Sequence, residues 1–97
     1  MNPARRPALI ERRLCSNLEA THVEVMDDSQ LHAGHLGAEG GGGHFRVVVV
    51  SPRFEGVSRL EAQRMVYRAL GDLMDGAIHA IQIQTLTPAA WHQLRGT

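Results

Sequence analysis

Cysteine is nearly absent from this chain of 97 residues, since Cys15 is the only one. A single cysteine excludes an intrachain disulfide and any metal site made only of cysteines from one chain. Long apolar runs are also missing, because none approaches the ~20 residues that a membrane-spanning helix needs. The first residues lack the apolar core of a secretory signal. We therefore expect a cytoplasmic protein from a reducing compartment, with no membrane-bound part.

Lysine is absent altogether, and neither sign of charge dominates. Ten arginines balance ten acidic residues, so the formal net charge is zero and no overall basic field points to nucleic acid. Catalytic signatures are lacking as well, because no serine lies in a GxSxG turn and no nucleophile and base stand at a recognisable spacing. We therefore do not expect an enzyme. The length fits one small domain over residues 1–97.

A run of β-branched residues marks the centre of the predicted fold. The segment from Phe45 to Val50 contains four consecutive valines, whose stiff side chains pack well on a pleated sheet. Both faces of the run are apolar, so we expect a central strand with part of each face covered. Ser51 and Pro52 are predicted to end it.

An amphipathic helix is predicted over residues 58–75. Ser58 precedes Glu61 by three positions, the spacing of a capping box, in which the hydroxyl and the carboxylate each satisfy a backbone N–H at the helix start. Gly76 is the expected left-handed stop, whereas Asp72 adds negative charge to the negative end of the helix dipole. The apolar arc that we expect to face the core comprises Ala62, Met65, Val66, Ala69, Leu70 and Leu73.

Four further elements complete the prediction. Apolar spacing indicates a helix from Pro7 to about Asn17 and strands over Thr21–Met26 and Ile78–Leu86, and Thr87 with Pro88 opens a last short helix. The resulting order, α-β-β-α-β-α, predicts an α/β (α+β) domain whose three-stranded sheet has helices packed on one side. We expect the valine strand in the middle of that sheet.

Six histidines are the outstanding feature of the composition, because a neutral imidazole binds borderline metals. His32 and His35 lie in a glycine-rich loop over residues 29–43, with His44 at its far margin. His79 stands at the beginning of the third predicted strand. No zinc-finger or HExxH spacing is present. A pair of loop histidines is either solvated or a weak metal site, and the spacing alone leaves both interpretations open.

Several short motifs spread along the chain resemble the BolA family. The motifs are His44-Phe45, Phe54-Glu55-Gly56, Arg64-Met65-Val66-Tyr67 and His79-Ala80. The resemblance covers residues 8–92, which would form the core of the domain. It implies a BolA-like fold similar to class II KH domains, with a mixed sheet. It also implies a non-enzymatic role as partner of a monothiol glutaredoxin in iron–sulfur cluster trafficking and iron homeostasis.

The resemblance also implies a set of ligands. The family uses a histidine at the start of the third strand as a cluster ligand, and His79 matches it. The second ligand comes from the loop between the first two strands, where His32 is the better match and His35 the alternative. The implied cofactor is a 2Fe–2S cluster that bridges to the glutaredoxin, which supplies the other thiolates together with glutathione. Cys15 lies outside these positions, and we expect it to be a small buried hydrophobe.

A nucleic-acid-binding transcriptional regulator of the BolA type is the alternative, because KH-like folds bind single strands. The connection before the predicted second helix contains one glycine instead of a GXXG loop, with Arg53 and Arg59 as the nearby cations. Gln63 departs from the histidine that many family members carry before the arginine. We expect the isolated chain to hold no cofactor and to be a monomer or a weak homodimer.

Overall fold

Helices and strands follow each other in the predicted order. The computed structural model describes residues 3–29 and 42–96. Its elements are α1 (Arg6–Leu18), β1 (His22–Asp27), β2 (Gly43–Val50), α2 (Arg59–Leu70), β3 (Ile78–Leu86) and α3 (Pro88–Leu94). Short 3-10 turns lie at Pro3–Arg5, Pro52–Phe54 and Gly71–Asp75. The α-β-β-α-β-α arrangement is therefore confirmed. Among the described residues, no helix is both long and apolar enough to cross a membrane.

The three strands form one mixed sheet with the valine strand in the middle, as predicted. β2 pairs antiparallel with β1, so that Val47 lies opposite Val25. On its other side β2 pairs parallel with β3, and Val47 lies opposite Ile83. The parallel ladder has one irregularity, between Gly43 and His44. Both strands of the parallel pair consequently begin at the same end of the sheet.

One face of the sheet carries α1, α2 and the core, whereas α3 does not follow the prediction that the helices pack on one side. Phe45, Val47 and Val49 alternate along β2 and are buried against α1 and α2. The opposite face is more open, since Val48 is only half-buried. Val50 on that face is nevertheless fully buried. It lies opposite His22 in β1, whose ring stacks on Trp91 of α3 at a centroid distance of 4.5 Å. α3 therefore covers one end of the open face.

The second helix ends earlier than the sequence predicts. Ser58 is its N-cap as expected, and the Ser58 hydroxyl accepts a hydrogen bond from the backbone N–H of Glu61 at 3.0 Å. The α-helix stops at Leu70, because Gly71 has a φ of 53° and closes it. Gly76 was the predicted left-handed stop, but its φ of 178° is extended. The last predicted turn is instead the 3-10 turn, in which Leu73 is buried as expected.

An ion pair explains the acidic residue near the end of α2. Arg13 of α1 donates through Nη1 to the Asp72 carboxylate at 2.7 Å and to the Leu70 carbonyl at 3.0 Å. The hydrogen bond from Arg13, followed by its charge, lowers the pKa of Asp72 below its ordinary value. One guanidinium thus forms an ion pair with a carboxylate and a hydrogen bond to the carbonyl at the end of a neighbouring helix. The Glu61 carboxylate likewise binds a cation, Arg68, at 2.7 Å.

Ser51 is a buried polar residue where three elements meet. Its side chain has no exposure, and its hydroxyl donates to the Leu18 carbonyl at 2.6 Å. The same oxygen accepts from the backbone N–H of Arg53 at 3.0 Å. Its own backbone N–H donates to the Leu86 carbonyl at 3.0 Å. Ser51 therefore joins the last residues of α1, β2 and β3.

The expectation that Cys15 is buried is wrong, because the structure leaves it exposed. The buried positions of α1 are Ile10, Leu14 and Leu18, which repeat every four residues. Cys15 follows Leu14 by one position and is turned by about 100° from that stripe. Adjacency in the sequence to an apolar residue did not place the thiol on the apolar face.

Candidate functional site

The structure brings two histidines together at the beginning of the parallel strand pair. The ring centroids of His44 in β2 and His79 in β3 lie 5.0 Å apart, with the ring planes tilted by 48°. His79 is exposed and His44 is half-buried. The two rings thus form an imidazole pair that solvent reaches mainly at His79. We refer to His44 and His79 as the histidine pair.

Glycine allows the chain to pass close to His79 just before β2 begins. An added Cβ at Gly42 would lie 2.8 Å from the Cβ of His79 and 3.1 Å from the Gly76 carbonyl oxygen. Real Cβ atoms do not approach side-chain carbons so closely, so a larger residue would push the two strand starts apart. The irregular ladder between Gly43 and His44 lies at the same point. Close backbone approach therefore sets the spacing of the histidine pair.

The end of β1 is tied to His44 by backbone hydrogen bonds. The N–H of Asp28 donates to the His44 carbonyl at 2.7 Å, and the N–H of His44 donates to the Ser29 hydroxyl at 3.1 Å. The N–H of Ser29 donates in turn to the Asp27 carboxylate at 2.9 Å. The chain that follows β1 therefore departs from a point next to His44. His32 and His35 belong to this following segment and lie outside the described residues.

An ion pair accompanies the histidine pair. Arg46 donates through Nε to the Asp28 carboxylate at 2.5 Å, and this hydrogen bond raises the pKa of Arg46. A cleft of about 180 Å³ is lined by Asp28, His44, Arg46 and residues 80–82 of β3, among others. The surroundings of His44 therefore contain a fixed carboxylate–guanidinium pair next to the imidazole.

The donor set of the described residues is too small for a complete metal site. Within residues 3–29 and 42–96, no group of three or more histidine, cysteine, aspartate or glutamate side chains could hold a metal ion. The histidine pair supplies two nitrogen donors of the type that binds borderline metals when neutral. An iron–sulfur cluster needs further ligands, usually thiolates. The residues present fit a cluster only as a partial ligand set that another molecule completes.

Sequence reasoning located His79 correctly at the start of β3 but treated His44 only as the margin of a loop. The missing information was the register, because a parallel pair aligns the starts of its two strands. The His44-Phe45 motif indicated where the strand starts, but it did not indicate that this start lies beside His79. The ligand roles of His79, His32 and His35 remain predictions.

Comparison with known sequences finds BolA proteins. A family model described as BolA-like protein matches residues 14–90 of the chain. The human protein named BolA-like protein 1 is 44% identical over 75 residues, which cover 77% of this chain and 55% of that protein. The Escherichia coli (strain K12) protein named DNA-binding transcriptional regulator BolA is 35% identical over 88 residues, covering 91% of this chain and 81% of that protein. The chain thus spans little more than half the length of the human relative.

Solved structures of BolA-like proteins have the same fold. The crystal structure of a bol-like protein from Babesia bovis gives a TM-score of 0.76 at 32% identity and covers 92% of each chain. The solution structure of BolA1 from Mus musculus gives a TM-score of 0.75 at 39% identity and covers 95% of this chain and 72% of that chain. Both similarities extend over nearly all of the present chain.

Proposed function

The chain belongs to the BolA family, and on that premise we propose that it is a non-enzymatic adaptor for a monothiol glutaredoxin. In this proposal the two proteins share a 2Fe–2S cluster and act in iron–sulfur cluster trafficking or iron homeostasis. The observation that carries the proposal is the histidine pair, with its ring centroids 5.0 Å apart. An exposed imidazole next to a half-buried one is a ligand set that needs a partner to complete it.

The position of the only cysteine supports a cluster that is shared between two proteins. Cys15 lies three residues before Leu18, whose carbonyl binds Ser51 directly after the end of β2. The histidine pair lies at the beginning of β2, about 23 Å from Ser51 along a strand that rises ~3.3 Å per residue. The thiol therefore lies towards the other end of the sheet and is not a ligand in this proposal. The thiolates come from the glutaredoxin and from glutathione.

The chain's own residues hold and orient the imidazoles. Ser29 and Asp28 bind the backbone of His44, and the close approach at Gly42 fixes the distance to His79. When bound, a cluster with imidazole ligands has a higher reduction potential than one held by cysteines alone. His32, with His35 as the alternative, remains the predicted ligand from the loop, and His44 joins them as a candidate.

Co-expression with a monothiol glutaredoxin tests this proposal. We expect the purified heterodimer to show the visible absorption and circular dichroism of a 2Fe–2S cluster. His79→Ala should remove the histidine-dependent part of these spectra and leave the fold of the apo protein intact. His92→Ala is the matched control, because His92 is an exposed histidine on α3.

Single variants then assign the second ligand. The set consists of His32→Ala, His35→Ala and His44→Ala. The variant that changes the spectrum as strongly as His79→Ala identifies the partner imidazole of His79. Three double variants, each combining His79→Ala with one of these substitutions, complete the set. If all three gave the wild-type spectra, cluster sharing through these histidines would be excluded. If the complex with glutaredoxin formed without any cluster absorption, the protein would be an adaptor that does not depend on a cluster.

A DNA-binding regulator is the second candidate, favoured by the name of the Escherichia coli relative. The arrangement of charge supports it less, because Arg13, Arg53 and Arg68 each form an ion pair with an acidic residue. Binding to duplex DNA at increasing salt tests it, since each phosphate contact adds to the slope of log affinity against log salt. Saturable, sequence-dependent binding at physiological salt would favour this candidate.

A further inference from the structure

The outer edge of β3 is an exposed strand edge. β3 is the last strand of the sheet and pairs only with β2 among the described residues. The Leu86 carbonyl faces β2, where it accepts from the N–H of Ser51. Backbone groups alternate in direction along a strand, so those of Thr85 and Ile83 face away from β2. An edge of this kind offers unpaired N–H and C=O groups to a further strand.

A side chain already occupies one position on this edge. Gln63 of α2 donates through Nε2 to the Ile83 carbonyl at 2.9 Å. This is the direction from which the N–H of a neighbouring strand would reach the same oxygen. A glutamine amide can turn away at the cost of one hydrogen bond, which the incoming strand replaces. The Ile83 carbonyl is therefore hydrogen-bonded in the free protein, and an incoming strand can replace that hydrogen bond.

A cleft runs along the same edge. Its volume is about 610 Å³, within the range of pockets that bind small molecules. Residues 83–87 form one wall in an unbroken run, and Phe54, Val57 and Ala62 contribute to the other. The cleft thus combines an exposed strand edge with an apolar wall. Both are properties of grooves that accept an extended peptide.

Exposed apolar side chains adjoin the cleft on α2. Leu60 and Tyr67 are 62% and 43% exposed, and they are two of the three large exposed hydrophobic residues of the described chain. They stand three positions before and four positions after Gln63, so they lie on the same side of the helix as Gln63. Because Gln63 touches the β3 edge, a segment docked there would contact both of them.

The charge of the cleft selects among possible occupants. Among the described residues, Arg59 is the only charged one that lines the cleft, and no acidic residue does. A single cation favours one carboxylate and provides little attraction for a polyanion. Phe54, the aromatic residue of the wall, is buried and gives no free face for stacking a base. The cleft therefore suits a peptide better than a single-stranded nucleic acid.

We propose that the outer edge of β3 docks an extended segment of a protein partner as a fourth strand. The segment replaces the amide of Gln63 at the Ile83 carbonyl and places apolar side chains against Leu60, Tyr67 and the cleft wall. A carboxylate of the segment binds Arg59. At ~3.3 Å per residue, Ile83 lies about 13 Å and Thr85 about 20 Å along β3 from His79. The docking site is thus separate from the histidine pair and does not depend on cluster sharing.

Nuclear magnetic resonance titration of the full chain tests the proposal. The probe is a synthetic peptide of alternating valine and threonine that ends in glutamate and has an amidated C-terminus. We expect saturable shifts of the Ile83 and Thr85 amides and of the Gln63 side-chain amide. The matching peptide that ends in glutamine should bind more weakly to the wild type, and Arg59→Gln should remove this difference.

Thr85→Pro tests the strand pairing itself. Proline removes the outward N–H of position 85 but leaves the bonds to β2, because proline is tolerated on the outer side of an edge strand. We expect a loss of about tenfold in affinity, the usual effect of one unmet hydrogen bond. Thr85→Val is the matched control, since it keeps the N–H and the branched side chain. Leu60→Ser with Tyr67→Ser provides a second weakening variant on the exposed side of α2, should the proline variant not fold.

Several results would overturn the proposal. These are an absence of saturable shifts, shifts that map away from β3, or unchanged affinity in both Thr85→Pro and the serine variant. A short single-stranded oligonucleotide that shifts these amides when the peptide does not would assign the cleft to nucleic acid instead. His79→Ala should bind the peptide as the wild type does, so failure here is distinguishable from failure of cluster sharing.

Discussion

The imidazole of His44 lies 5.0 Å from that of His79, ring centroid to ring centroid, because the two strands that carry them run parallel and begin together. Neither histidine alone is notable, since single histidines at strand margins are common. Their proximity results from the register of β2 and β3 and from the glycine that precedes β2. The geometry of this pair can therefore be altered without changing either histidine.

Gly42→Ala should disturb the histidine pair. The added Cβ would lie 2.8 Å from the Cβ of His79, so the strand starts must separate. We expect changed ring proton shifts of His79 and weaker cluster absorption with glutaredoxin. Gly76→Ala is the control, because an added Cβ there would meet no atom of the described residues within 4 Å and the φ of Gly76 is 178°. Identical His79 spectra in the wild type and Gly42→Ala would disprove the role of this glycine.

Leu73→Ala should destabilise the apo protein strongly. Leu73 is 3% exposed and belongs to the core below α2. Removing a buried leucine side chain leaves a cavity and costs about 2–5 kcal/mol in the free energy of unfolding. Urea denaturation measures this loss. Leu60→Ala, at a position that is 62% exposed, should cost much less. Equal losses of stability for the two variants would contradict the burial of Leu73.

Ser51→Ala should cost about 1–3 kcal/mol, the penalty of leaving a buried polar group unpaired. The variant loses the donor to the Leu18 carbonyl and the acceptor for the N–H of Arg53. Ser16→Ala on the exposed side of α1 makes the same chemical change without this loss. We expect the midpoint of thermal unfolding to fall for Ser51→Ala only. Equal midpoints for both variants would show that water satisfies the two backbone groups.

Asp72 should contribute stability that depends on pH. Arg13 lowers the pKa of Asp72 in the folded protein from its ordinary value of 3.8, so the unfolded chain binds the proton more readily. The contribution is complete above 3.8 and is lost as the pH falls through the lower folded value. Asp72→Asn should therefore be less stable than the wild type at neutral pH and equally stable in acid. Urea denaturation over a pH series measures both.

The control for this prediction is Asp75→Asn. Asp75 lies in the same 3-10 turn and forms no ion pair within the described chain, so its loss should change the pH profile little. A constant stability difference between Asp72→Asn and the wild type down to acid pH would contradict the assignment. In that case the effect of the substitution would not come from the charge of the carboxylate.

Most of the fold follows from local patterns in the sequence. The alternation of Phe45, Val47 and Val49 and the cap at Ser58 identify a buried strand and a helix start without any knowledge of tertiary contacts. The end of α2 was predicted wrongly because two glycines compete for it. The pairing of Arg13 with Asp72 and the burial of Leu73 allow a 3-10 turn between those glycines.

The candidate site was less predictable, because it depends on register and on close backbone approach. His79 was identified through a family motif, but its neighbour His44 emerges only when β2 and β3 are aligned. The exposure of Cys15 was missed for a related reason, since one position on a helix turns a side chain away from the apolar stripe. The ligand roles of His32 and His35 depend on a segment outside the described residues.

The attachment of α3 has a consequence for how the domain opens. This helix contains no buried residue, and Trp91 holds it to the sheet by stacking on His22. Local opening of such an element exposes little apolar surface, so it requires much less free energy than global unfolding. Amide hydrogens of α3 should therefore exchange with solvent far faster than those of α2, while the core stays closed. Since Ala90 of α3 also lines the cleft beside β3, each such opening would transiently widen this cleft, where we propose that a peptide docks.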